Sequence, residues 1–76
     1  MIIIKSQDDK SLHKCVGVFI GKEDNQYVIN GNTSYLNSYV PLGYYPTEER
    51  AKEIVEVIYD VISISKGTPL IKMPEE

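Results

Sequence analysis

Seventy-six residues make one small domain, and a chain of this length buries only about 60% of the surface its unfolded form exposes, so a thin core and self-association are expected. A formal charge of −3, with eight basic residues scattered singly, argues against a surface for duplex nucleic acid. One cysteine, Cys15, and one histidine, His13, exclude an internal disulfide and a four-ligand zinc set, and leave no cofactor or metal expected.

The opening MIIIKSQDDK has an apolar run of only four residues, which predicts neither a signal peptide nor a membrane span. A cytoplasmic location is therefore expected. Residues 1–6 read as a strand of β-branched isoleucines covered on both faces or at an interface, and Gln7 to Ser11 as a turn. Lys14 to Ile20 predicts one further strand, also covered on both faces. Gly21 to Asn25 carries turn residues and Gln26 to Ile29 completes a hairpin. Asn30-Gly31 predicts a type I′ turn into a strand over residues 33–40. Pro41 lacks a ladder donor, so Leu42 to Tyr45 either continues that strand after a bulge or bends towards a helix.

The helix is predicted over residues 47–66. Ala51, Ile54, Val55, Ile58, Val61 and Ile62 fall on one stripe at a 3.6-residue period. Thr47 is the expected N-cap, Glu48 and Glu49 suit the first turn, and Gly67 and Pro69 suit the end. The β-branched run from Val55 to Ile64 also permits a strand, but a length near twenty residues and the capping signals favour the helix. Val57 and Ile64 widen the apolar face beyond what one sheet needs, which points to a homodimer or larger homo-oligomer. Residues 67–76 form a tail that lies on the domain or swaps onto a partner, with Pro74 to Glu76 frayed. The expected architecture is α+β, a three- to four-stranded antiparallel meander (residues 1–45) packed against one C-terminal helix in a single domain, 1–76.

Six tyrosines are present, and Tyr35, Tyr39, Tyr44 and Tyr45 cluster before the helix. They either stack on a flat ligand or a protein partner, or pair across the sheet. Arg50, the single arginine, either meets a phosphate at the helix start or pairs with Glu48, Glu49 or Glu53. The candidate ligand site is Tyr35, Tyr39 and Tyr45 with Thr47 and Arg50. His13 and Cys15 share a side of one strand, but no orienting acid or oxyanion donor accompanies them at a recognisable spacing, so no catalytic residue is assigned. Asp8-Asp9 lacks the ligand count of a calcium loop.

Two blocks, IIIKSQDDKSL and LGYYPTEERAKEIVEVI, resemble small proteins encoded by phages and prophages of Gram-positive bacteria, which often begin II-K/R-SQD and carry a G-x-Y-x-TEERA helix. Asp9 stands where a glycine is common there, and residues 33–41 are longer and richer in tyrosine. The resemblance implies an accessory phage protein acting on host physiology. By analogy of gene context it implies a non-enzymatic protein that sequesters a nucleotide immune signal or, alternatively, inhibits a host defence or regulatory protein.

Overall fold

The computed structural model describes residues 2–33 and 38–76, which form six strands in two three-stranded sheets with one helix, an α+β arrangement. Part of the expected strand over residues 33–40, including Tyr35, lies outside the described residues.

The first sheet is built on β1 (Ile2–Lys5), with β2 (Leu12–Cys15) antiparallel on one side and β6 (Leu70–Lys72) parallel on the other. Alternation along β1 sends Ile2 and Ile4 into the core, while Ile3 is half-buried on the opposite face. The tail expected after the helix is thus partly a strand, because Ile71 and Met73 alternate towards the core and carry the segment with them.

The second sheet is the expected meander, with β3 (Gly17–Glu23), β4 (Gln26–Asn32) and β5 (Tyr39–Tyr45) in that order. The single strand expected from Lys14 to Ile20 splits at Val16, where the chain leaves one sheet for the other. Val16 is exposed and its N–H already donates to Asn32 O at 2.8 Å, the first bond to the second sheet. The expected β3–β4 hairpin is present, but its turn narrows from Gly21–Asn25 to Asp24-Asn25, with Asp24 at φ 54°, because Gly21, Lys22 and Glu23 continue β3 and pair with Val28, Tyr27 and Gln26.

Asn30-Gly31 is not a turn. Both residues lie inside β4, Asn30 paired with Phe19 and Gly31 with Val18. The glycine is required by packing instead: a Cβ on Gly31 would lie 2.6 Å from Cys15 Sγ and 3.0 Å from Leu42 Cδ1. Across Pro41 the strand continues through a bulge, since Ile29 pairs with Gly43 and Asn30 with Pro41, which leaves Leu42 as the extra residue.

Helix α1 (Glu48–Ile64) begins as the sequence predicts, with Thr47 Oγ1 accepting the Arg50 N–H at 3.1 Å and Glu48 and Glu49 in the first turn. It runs through the β-branched stretch that also permitted a strand. Ala51, Ile54 and Ile58 are buried, Val55 and Val61 are half-buried, and Ile62, Val57 and Ile64 are exposed. The core joins both sheets to the helix through Ile2, Ile4, Cys15, Ile29, Leu42, Tyr45, Ile54, Ile58 and Met73. Full burial of each large aliphatic side chain there contributes roughly 1.5–3 kcal/mol. Among the described residues no helix is long and apolar enough to cross a membrane.

Candidate functional site

The bulge decides which tyrosines can meet a ligand. Tyr39 and Tyr45 are six residues apart, an even spacing that puts both on one face of a regular strand. The extra residue at Leu42 reverses the alternation, so Tyr45 enters the core while Tyr39 and Tyr44 stay exposed on the other side. Tyr45 is fully buried, its hydroxyl donates to Pro74 O at 2.7 Å, and burial pushes its pKa up to about 12 against the opposing pull of the Arg50 charge. Its ring offers no free face for stacking, which corrects the expected role. Along the strand it also lies about 20 Å from Tyr39, at about 3.3 Å per residue.

Thr47 and Arg50 are placed together at the helix start, but both are engaged within the chain. The Thr47 hydroxyl serves as the cap. Arg50 donates from Nε and Nη2 to the main-chain oxygen of Glu76 at 2.9 and 2.6 Å, and its Nη1 lies 3.9 Å from Glu53 Oε1. The expected surface pair with Glu53 is present, although a pair this exposed contributes little. The stronger interaction is with the C-terminal segment, which sequence periodicity gave no means of seeing.

On the outer face of the meander, away from the helix, side chains of β3 and β5 meet over the central strand. Phe19 and Tyr39 are in edge-to-face contact, ring centroids 5.3 Å apart at 73°. Further along, Tyr44 Oη donates to Glu23 Oε2 at 3.5 Å. These two arches explain why Val28 and Asn30, on the outer side of β4, are only 5% and 6% exposed. Between the arches the space over Gly21 is filled by its neighbours, because a Cβ there would lie 3.2 Å from Asn30 Nδ2 and 3.3 Å from Val28 Cγ1. Phe19 and Tyr44, outside the predicted site, therefore share a surface with Tyr39. The odd–even pattern of β3 marks Phe19 as facing away from Val18 and Ile20, and that was the available signal.

His13 and Cys15 do share a side of β2, facing Ile4 and Ile2 of β1. Cys15 is sealed in the core with Sγ 3.8 Å from His13 O, and burial pushes the thiol pKa up, away from nucleophile behaviour. The His13 ring turns instead to Ser11, Nε2 to Oγ 2.9 Å, and Ser11 Oγ donates to Ser6 Oγ at 3.1 Å, which donates to Asp8 Oδ1 at 2.6 Å. This chain of polar groups closes the β1–β2 turn. The Ser6 hydroxyl and the Lys10 N–H hold the Asp8 carboxyl below the usual carboxylate range, and Lys72 with Lys5 does the same for Asp9. Asp9, at φ 64°, takes the left-handed conformation that a glycine adopts without cost. Beside this turn a cavity of about 220 Å³ is lined by Ser6, Gln7, Asp8, Ser11, Pro41 and Tyr44 among others. It falls below the roughly 300–1,000 Å³ of typical small-molecule sites. A groove of about 350 Å³ between β3 and the helix is lined by Ile20, Lys52, Val55 and Glu56, one charge of each sign. Among the described residues no group of three or more His, Cys, Asp or Glu side chains is placed to hold a metal.

No family model, curated protein or solved structure matches this chain, so the likeness to phage-encoded proteins rests on the two sequence blocks.

Proposed function

We propose that this chain is a non-enzymatic binding protein that meets a protein partner with the outer face of its β3–β4–β5 sheet. The observation that carries the reading is the Phe19–Tyr39 pair closing over β4, with Phe19 39% and Tyr39 58% exposed and Tyr44 on the same face. Exposed aromatic groups held rigidly over a packed floor are what anchors a protein interface, because they bring large contact area with little side-chain entropy to lose.

The phage resemblance supplies the setting, a host defence or regulatory protein in the bacterial cytoplasm. Nucleotide sequestration is the weaker reading, since Tyr45 and Arg50, the groups expected to stack and to meet phosphate, are both engaged within the chain. The two separate in a thermal-shift screen with cyclic and ADP-ribose-type nucleotides. No shift is expected, and a nucleotide that raised the melting temperature would overturn the protein-binding reading.

A further inference from the structure

The C-terminal segment lies in a cradle that holds its main chain by hydrogen bonds and takes its Ile71 and Met73 side chains into the core. Ile3 N–H donates to Pro69 O at 3.0 Å and Met73 N–H donates to Lys5 O at 3.0 Å, so β6 adds to the edge of β1 as a parallel strand. Three consecutive main-chain oxygens beyond it are each held by a side chain from a different part of the fold. Tyr45 Oη donates to Pro74 O at 2.7 Å, Gln7 Nε2 to Glu75 O at 2.7 Å, and Arg50 doubly to Glu76 O. Met73 is fully buried beneath them. An extended peptide with apolar residues at alternate positions is the ligand that such a cradle selects.

We infer that the cradle also accepts the same segment from a second copy, giving a dimer in which β6 and the residues after it are exchanged. A second copy brings an identical segment, so no new recognition is required. The connection that decides between the closed and exchanged forms is short, residues 65–69, and contains Gly67 at φ +91°. A Cβ on Gly67 would meet nothing within 4 Å, so the constraint there is the backbone conformation alone. Ile64 and Leu70, 81% and 67% exposed, flank this connection and stay uncovered in a single chain. Exchange lays two connections side by side, where these apolar side chains can cover one another.

Lys5 and Lys72 are directly paired across β1 and β6 and both are partly exposed, so cysteines at these positions report where the segment sits. Neighbouring strands lie about 4.7–4.9 Å apart, within the Cα separation that a disulfide spans. Full-length Lys5→Cys and Lys72→Cys chains, mixed at high concentration, warmed towards the melting transition, cooled and oxidised, should form a mixed disulfide dimer. The Lys5→Cys/Lys72→Cys chain, oxidised within itself before the same treatment, should lose the dimer seen by light scattering for the wild type. Gly67→Ala should raise the dimer fraction above wild type, since alanine is strained at φ +91° only while the connection is closed. A wild type that stays monomeric, a locked chain that dimerises as well as the wild type, or a Gly67→Ala chain with an unchanged dimer fraction would each overturn the inference.

Discussion

The side-chain amide of Gln7 pairs with the main chain of Tyr44 as a neighbouring strand would. Tyr44 N–H donates to Gln7 Oε1 at 2.8 Å, and Gln7 Nε2 donates to Tyr44 O at 3.0 Å. Gln7 N–H donates in turn to Leu42 O at 2.8 Å, so the free edge of β5 is partly closed by one residue of the β1–β2 turn. With its further bond to Glu75 O, this side chain ties both sheets to the C-terminal segment. Gln7→Ala is expected to lower stability by about 1–2 kcal/mol, the net worth of a few partly solvated hydrogen bonds. Gln7→Glu should cost more at neutral pH, because a carboxylate then faces two carbonyl oxygens, and should recover as that group is protonated. Urea denaturation at two pH values measures both effects.

Gly31 is tested by overpacking. Gly31→Ala drives a methyl group against Cys15 Sγ and Leu42, and a cost of about 1–3 kcal/mol is expected. In a Cys15→Ala background the nearest obstacle is gone, so the same substitution should cost less. A double-mutant cycle by chemical denaturation reads this coupling directly.

The helix start is tested at Thr47. Its hydroxyl accepts the Arg50 N–H, and Thr47→Ala is expected to cost about 1 kcal/mol, with Thr47→Ser close to neutral. If Thr47 served a ligand instead of the helix, the alanine variant would keep its denaturation midpoint.

These features differ in how visible they are from residues alone. The helix, its Thr47 cap, the β3–β4 hairpin and the α+β class follow from periodicity and local turn chemistry, which short windows of sequence record. Asn30-Gly31 misled because a turn dipeptide and a glycine demanded by a neighbouring sulfur look alike in sequence. The bulge at Leu42 reversed the faces of Tyr39 and Tyr45, and one inserted residue is enough to move a side chain from surface to core. The grip of Gln7, Tyr45 and Arg50 on the C-terminal segment joins residues distant in the chain, and no local pattern encodes such contacts.

Tyr45 gives a pH test. Its hydroxyl has a folded pKa raised to about 12 by burial, so the stability that it contributes is fully present below the unfolded value near 10. That stability should be lost as pH rises from about 10 through about 12. Tyrosinate absorbance should show a late component near pH 12 that disappears in Tyr45→Phe, while the denaturation midpoint of that variant should fall less steeply over the same range. Asp8 and Asp9 act in the opposite direction, since their depressed folded values make their contributions available above the unfolded carboxylate range and lost as pH falls below it.

The proposed binding face is tested most directly by comparing the wild-type chain with a Phe19→Ser/Tyr39→Ser chain, each immobilised and exposed to lysate of a Gram-positive host. The double variant loses the ring contact and its cover over β4, a cost of about 0.5–1.5 kcal/mol or more, so both chains are compared at a temperature where each is shown to be folded. The expected result is a host protein retained by the wild type and lost from the double variant. Equal retention by the two folded chains would contradict a partner surface centred on Phe19 and Tyr39.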